Sequence, residues 1–443
     1  MENKITICLK DFGPINEAKI DIGKITVVGG QNASGKSTLS KILYSFFKSN
    51  SYNRQDMALD SCLKSYIDLL KRVNIRALSD IHFKYPCYER DSKEFNFYQK
   101  IHEIVVRYGI DDFSSLFKTH DAVKKIYLNY DFSFDFKDEF DKEFEKADKL
   151  INFLNENNEK YYNSLMRKFL KSEFLTKDFE GSAVLYGRYN DDDFEFLIDF
   201  SNHNLNSDDS FKSKGQFSIY DVFYFDSISC IDFKSPSYPV ENHVYLLRGI
   251  FNEDMNSSLH LNEKSDDKII KIESMINEII DGEFIFIKED NYTFKTKVYY
   301  KSNDGNSCLM GNTASGIKQI GMIQLLLTRR KLKENSCLIF DEPEVNLHPE
   351  WQVKLAQILA LISSSLDVLV YINSHSPIFI EAIEAFSEFY GLSDETNYYL
   401  TELQDNGKYN FNKIEHDDLY LIYDNLGKPY NHIDEIRIKP ITD

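Results

Sequence analysis

The sequence predicts an α/β fold: a parallel sheet carrying a phosphate-binding loop, interrupted by a mainly helical insertion. Three observations predict it. A β-branched apolar run, Ile25-Thr26-Val27-Val28, enters Gly30-Gln31-Asn32-Ala33-Ser34-Gly35-Lys36-Ser37-Thr38, and an amphipathic stretch with Leu39, Ile42, Leu43, Phe46 and Phe47 on one side leaves it. Two further short apolar runs, Cys337-Leu338-Ile339-Phe340 and Val368-Leu369-Val370-Tyr371-Ile372, have the composition of buried parallel strands. From about Tyr52 to Phe179 the apolar spacing turns helical.

Each element carries its own chemistry. Strand, G-x4-G-K-S and helix is the arrangement in which glycines let backbone N–H groups wrap phosphates, and the helix N-terminus adds partial positive charge. Gly30, Asn32, Ser34, Gly35, Lys36, Ser37 and Thr38 are therefore the expected nucleotide-binding residues. Lys36 would reach the β- and γ-phosphates and the Ser37 hydroxyl would hold Mg²⁺. The run Cys337–Phe340 ends in Asp341-Glu342-Pro343-Glu344. By itself that tetrapeptide also fits a solvated acidic turn. Downstream of a phosphate loop, Asp341 is the expected Mg²⁺-shell residue, and Glu342 is placed to polarise the attacking water. The run Val368–Ile372 ends in Asn373-Ser374-His375-Ser376-Pro377. Ligands bind outside such strand ends, so His375 is expected to donate a hydrogen bond to the γ-phosphate.

Together these residues resemble the ABC-type ATPases. The likeness is to soluble members: chromosome-maintenance and DNA-repair ATPases, and the OLD-like ATPases of prokaryotic phage defence. The opening Ile5-Thr6-Ile7-Cys8-Leu9-Lys10-Asp11-Phe12-Gly13-Pro14-Ile15, before a strand at Ala18 to Ile22, looks like the start of that group. More specific is Asp341-Glu342-Pro343-Glu344-Val345-Asn346-Leu347-His348-Pro349. Transporters usually carry aspartate at the His348 position, whereas the Leu-His-Pro ending is typical of the OLD-like proteins. The resemblance is good over residues 1–48 and 300–385 and poor between them.

It implies a P-loop ABC-type ATPase head that binds ATP and Mg²⁺ and closes into an ATP-dependent homodimer or higher oligomer. In that family a signature loop from the opposite subunit completes the site. The candidate is Asn312-Thr313-Ala314-Ser315-Gly316-Ile317-Lys318-Gln319, with Gly316 25 residues before Asp341 and an apolar helix following. It departs from the Leu-Ser-x-Gly-x-Lys pattern: Thr313 replaces the leucine and Ala314 stands where the serine belongs. Either Ser315 supplies the hydroxyl or the site hydrolyses slowly. For the glutamine that usually senses Mg²⁺, Gln55, Gln99 and Gln216 are all in unconvincing settings.

Composition narrows the class. At 443 residues two or three lobes are expected. No run of about eighteen apolar residues occurs, and the N-terminus lacks a basic-then-apolar signal segment. Cys8, Cys62, Cys87, Cys230, Cys308 and Cys337 are scattered without metal-ligand spacing. Reduced thiols, no structural zinc and a cytoplasmic location are expected. The net charge of −19 disfavours global attraction of nucleic acid. Acid concentrates at Asp191-Asp192-Asp193 with Glu195 and Asp199, and again at Glu415, Asp417 and Asp418. A local basic groove around Arg329, Arg330, Lys331 and Lys333 leaves nucleic-acid contact open, although a solvated helix end explains that cluster more simply.

Lys36 and Gly316 are 280 residues apart, far more than a minimal ABC domain needs. The expected division is residues 1–50 as the first part of the ATPase domain, 51–180 as a helical insertion, 181–300 as a β-rich part and 301–443 as the second part with a helical tail. In the insertion, Phe136, Phe140, Phe144, Ala147, Ile151 and Leu154 recur at helical spacing; Tyr161, Leu165 and Phe169 continue the stripe past a break at Asn155–Asn158. Phe194–Ile198, Val222–Phe225 and a hairpin of Phe284–Ile287 with Thr293–Tyr300 read as strands. A helical tail is expected from Asp417 to Ile436. Only 68 residues follow His375, too few for the nuclease domain of OLD nucleases, and Asn202-His203-Asn204 reads as a polar loop. The expected role is thus the sensor or regulator half of an antiphage system with a separate effector, a nuclease or toxin, as in the Septu and PARIS arrangements. The rivals are a DNA-repair or chromosome-associated ATPase that clamps DNA directly, and a transporter's ATP-binding subunit, disfavoured by the Leu-His-Pro ending.

Overall fold

A computed structural model describes residues 4–51, 64–82, 93–109, 113–127, 137–156, 158–174, 180–189, 192–200, 210–215, 217, 219–226, 242–252, 267–288, 296–329 and 331–438. The chain forms two compact units, residues 1–51 with 163–443, and residues 52–162.

An eleven-stranded sheet forms the first unit's frame. Its parallel half is built from the strands the apolar runs predict and one strand they do not. β3 (Ile25–Gly29) lies between β12 (Leu369–Ser374) and β13 (Thr396–Leu403), and β12 pairs with β11 (Cys337–Asp341), which pairs with the edge strand β7 (Val222–Phe225), all parallel. Every residue of β3, β7 and β11 is buried, the signature of strands covered on both faces. β14 (Tyr409–Ile414) returns antiparallel to β13 and pairs in parallel with β2 (Ile15–Ile22). The other half is antiparallel: β2 with β1 (Lys4–Lys10), then β4 (Ser182–Tyr189), β5 (Asp192–Asp199) and β6 (Phe211–Lys214).

Helix α1 (Lys36–Ser51) follows β3 and buries Leu39, Ile42, Leu43, Phe46 and Phe47, the predicted face. The expected hairpin is β8 (Gly282–Lys288) with β9 (Thr296–Ser302), and β10 (Ser307–Leu309) adds a third strand, so these strands form their own small sheet.

The second unit holds α2 (Lys64–His82), α3 (Lys93–Tyr108), α4 (Phe113–Tyr127) and α5 (Lys137–Glu156). They share a core of Tyr66, Leu70, Phe97, Ile101, Leu116, Phe140, Phe144 and Ile151. α6 (Asn158–Phe174) starts after the predicted break, and from Asn163 it belongs to the first unit rather than to the insertion expected over 51–180. Contacts explain this: the Phe169 ring lies edge-on to Tyr44 at 6.2 Å, and Asn163 Nδ2 donates to the Phe211 carbonyl at 3.2 Å. The segment 181–300 also contains α7 (His243–Asn252) and α8 (Asp267–Ile280) beside its strands. Asn202-His203-Asn204, Gln55, Gln216, Cys62, Cys87, Cys230 and Arg330 lie outside the described residues.

An ionic cluster joins α6, α7 and the residue that follows β7. His243 Nδ1 lies 2.7 Å from Glu173 Oε2, and His243 Nε2 lies 3.1 Å from Asp226 Oδ1, both at ion-pair distance. The imidazole packs between Tyr224 and Tyr44, at 4.5 Å and 6.0 Å. Burial opposes its charge, but the bonds to Asp226 and Glu173 outweigh that and hold the His243 pKa up at about 9. A folded pKa above the ordinary 6.5 means that the contribution is complete below about pH 6.5 and lost as pH rises through 9. The linked stabilisation is on the order of 3 kcal/mol. The melting temperature of the wild type should therefore fall more steeply between pH 7 and 9.5 than that of His243→Gln, measured by scanning calorimetry. Parallel slopes would remove His243 from the stability account.

Candidate functional site

The loop between β3 and α1 has the backbone its glycines allow. Gly30 has φ +149°, and a Cβ there would stand 1.8 Å from Thr401 Oγ1 on β13; Gly35 has φ +97°, and its Cβ would meet Ile15 Cγ1 at 2.7 Å. The Pro14-Ile15 turn thus packs directly on the loop, a structural use for the N-terminal motif. Lys36 is 4% exposed, and its Nζ donates to the carbonyls of Gly30 at 2.9 Å and Gln31 at 2.8 Å. Burial pushes the Lys36 ammonium below the ordinary lysine range, while the charges of Glu342, Asp341 and Glu344 hold it up. Those three carboxylates therefore share a field with the loop. Asn32 and Ser37 are exposed, Thr38 half-buried, and Ser34 fully buried with its Oγ lacking a hydrogen-bond partner.

Asp341 ends β11 and is 8% exposed. Its Oδ1 accepts from Asn373 Nδ2 at 2.9 Å, and its Oδ2 accepts from Tyr224 Oη at 3.2 Å. Asn373 Nδ2 also donates to Ser40 Oγ on α1 at 2.6 Å, tying together β11, β12 and the helix that follows the loop. Burial and the Asp341 charge push the Tyr224 hydroxyl well above its ordinary pKa, so it remains a donor.

Beyond Asp341 the backbone turns sharply. Glu342 has φ +52°, in the left-handed region that costs a non-glycine residue roughly 1–2 kcal/mol. The turn is fixed by its N–H, which donates to the Asn373 carbonyl at 2.9 Å. His375 Nδ1 lies 3.6 Å from Glu342 Oε1 and 3.4 Å from Glu344 Oε1. Asp341, Glu342 and His375, three residues the sequence nominates, are thus brought to neighbouring strand ends.

The Leu-His-Pro ending has a local explanation. His348 is the N-cap of α10 (Pro349–Leu366), its ring nitrogen accepting from the Glu350 N–H, with Pro349 at the first helical position. Ser376 caps α11 (Pro377–Phe389) in the same way, accepting from the Phe379 N–H at 3.3 Å. It also donates to Gln352 Oε1 at 2.7 Å, linking the two helix starts.

Ser315 opens α9 (Ser315–Thr328). Gly316 lies against Trp351 on α10: a Cβ there would meet the indole ring at 3.0 Å. The glycine of the signature-like loop is therefore also required by packing within its own chain.

Sequence reasoning missed Ser40, Tyr224, Asn373 and Glu344. Asn373 and Glu344 stand inside the motifs, so position was a signal for them; Tyr224 and Ser40 are reached only through tertiary contacts.

These residues fit a nucleotide phosphate with its magnesium ion. Ser34 Oγ is a buried polar atom without a partner, Lys36 is a buried cation whose protein partners are carbonyls of its own loop, and Asp341 is held by two donors. No three His, Cys, Asp or Glu side chains cluster to hold a metal among the described residues. Ser37 and Asp341 would share such an ion with phosphate oxygens and water, the usual coordination of protein-bound Mg²⁺.

Among solved structures, the SMC head domain from Thermotoga maritima is 10% identical, with 94% of this chain and 100% of that chain covered at TM-score 0.40. An SMC head bound to the C-winged helix domain of ScpA gives 10%, 94%, 98% and 0.44, and the ADP conformation of an ABC transporter's ATP-binding cassette gives 10%, 98%, 99% and 0.33. No curated protein matches the chain. No helix of the described residues is long and apolar enough to cross a membrane. The "AAA ATPase domain" family matches residues 1–380, which include the phosphate loop, Asp341, Glu342 and His375. With that match and the α/β P-loop ATPase fold described above, the chain belongs to the AAA ATPase domain family.

Proposed function

We propose that this chain binds ATP at the Gly30–Thr38 loop, hydrolyses it with Glu342 as general base, and acts in the cytoplasm as the sensor or regulatory subunit of an antiphage system whose effector is a separate protein. The observation that carries the chemistry is that three neighbouring parallel strands, β3, β12 and β11, end in the Lys36 loop, His375 and Asp341-Glu342. The antiphage role rests on the resemblance carried by Asp341–Pro349.

Lys36 binds the β- and γ-phosphates with its ammonium. Gly30, Asn32, Ser34, Gly35 and Thr38 line the phosphate chain. Ser37 and Asp341 would hold the metal, with Asn373 and Tyr224 fixing the Asp341 carboxylate. A bound Mg²⁺ neutralises phosphate charge that would otherwise oppose attack. Glu342 accepts the proton of the attacking water. His375 donates to the γ-phosphate, and Ser315 and Gly316 of a second copy close the site from the other side.

Assembly tests this reading. Glu342→Gln with Mg²⁺ and ATP should form a dimer by light scattering, because contacts from both sides favour the ATP-bound state. Ser315→Asp should prevent it by setting a carboxylate against the phosphates; Ser315 is the cleaner position because Gly316 packs on Trp351. An unchanged mass with and without ATP across a wide concentration range would reject the shared site. In the same preparations the chain alone should leave plasmid DNA, linear DNA and tRNA intact. Hydrolysis stimulated by DNA would favour the DNA-clamping ATPase instead.

A further inference from the structure

We propose that Glu344 is a positioning residue for His375 and not a second general base. The proposal rests on the ATPase reading above. Glu342 and Glu344 are equally carboxylates and lie at similar distances from His375 Nδ1, so residue type does not separate their roles. Their surroundings do. The Glu342 side chain is 35% exposed and that of Glu344 is 4% exposed. A base that takes a proton from water must be open to water, and of the two side chains that is Glu342.

One oxygen of Glu344 binds three consecutive residues. Oε1 accepts from Ser374 Oγ at 2.8 Å, from the His375 N–H at 2.7 Å and from the Ser376 N–H at 3.2 Å. Ser374 Oγ also accepts from the Ser376 N–H at 3.1 Å, so the turn is closed on itself as well as on the carboxylate. Charged acceptors make shorter and stronger bonds than neutral ones, and a buried carboxylate is tolerated only where donors compensate its lost hydration. The donors occupy the lone pairs of Oε1. Glu344 therefore fixes the backbone that aims His375, taking the His375 N–H directly and sharing the Ser376 N–H with Ser374 Oγ. The remaining oxygen, Oε2, is buried without a hydrogen-bond partner, and its charge joins the field at Lys36.

Equilibrium binding of ATP and ADP with Mg²⁺ tests this without requiring turnover, because His375 is assigned to the γ-phosphate that only ATP carries. His375→Ala should lower the preference for ATP over ADP about tenfold, the scale of one charge-assisted hydrogen bond. Glu344→Ala should lower it equally, and the double variant should lose no more than either single one. Glu344→Gln keeps the volume and an accepting oxygen, and should stay within about threefold of the wild type. If the alanine variant fails to fold, Glu344→Gln in the His375→Ala background replaces it, again with no further loss expected. Multiplicative losses in a double variant, or Glu344→Gln as impaired as Glu344→Ala, would overturn the positioning role. Lys36→Ala binding both nucleotides as tightly as the wild type would instead reject the phosphate-loop reading, a result the Glu344 series cannot mimic.

Discussion

Lys36→Ala should lose ATP binding, with affinity reduced at least about 100-fold in a calorimetric titration. The structure shows why the effect is large. The Lys36 ammonium is buried and bonded to the carbonyls of Gly30 and Gln31, and the charges of Glu342, Asp341 and Glu344 act on it. Removing it takes the donor from the Gly30 and Gln31 carbonyls and leaves the negative charges of the three carboxylates without their cation. The same charge that would attract phosphate is then replaced by net repulsion. Circular dichroism should show the fold retained, because α1 stays anchored through Leu39, Ile42, Leu43, Phe46 and Phe47. Undiminished affinity in the folded variant would remove the phosphate loop from the account.

Glu342→Gln should separate binding from chemistry. The amide keeps the shape of the side chain, and the backbone bond from the Glu342 N–H to the Asn373 carbonyl keeps the turn. What is lost is the proton acceptor. ATP affinity should stay within about threefold of the wild type while turnover falls by roughly 100-fold or more, the scale of general-base catalysis. A loss of affinity with unchanged turnover per bound ATP would make Glu342 a binding residue.

The parts legible in the sequence are those in which local pattern and tertiary role agree. The β-branched run Ile25–Val28 before two glycines could be only a strand entering a turn, and β3 with its loop bears this out. Cys337–Phe340 and Val368–Ile372 are apolar throughout because β11 and β12 are covered on both faces. The strand-end positions of Asp341, Glu342 and His375 follow from these runs.

Other parts depend on partners distant in the chain. β13 and β14 escaped notice although β13 lies beside β3, at the centre of the sheet. Its burial follows its place between β3 and β14, which no pattern within Thr396–Leu403 reveals. Glu344 reads as one more acid in an acidic tetrapeptide; its role appears only when β12 brings Ser374 to Ser376 against it. Tyr224 is one aromatic residue in an apolar run until β7 pairs with β11 and sets its hydroxyl on Asp341. Gly316 attracts attention as part of a signature-like loop, whereas its contact with Trp351 is a packing requirement no spacing rule contains.

The most direct test counts bound ATP and released phosphate in the same samples of wild type, Lys36→Ala and Glu342→Gln at saturating Mg²⁺ and ATP. Binding with hydrolysis is expected in the first, neither in the second, and binding with release slowed roughly 100-fold in the third. Phosphate release by Glu342→Gln at the wild-type rate per bound ATP, or by Lys36→Ala at any comparable rate, would contradict this.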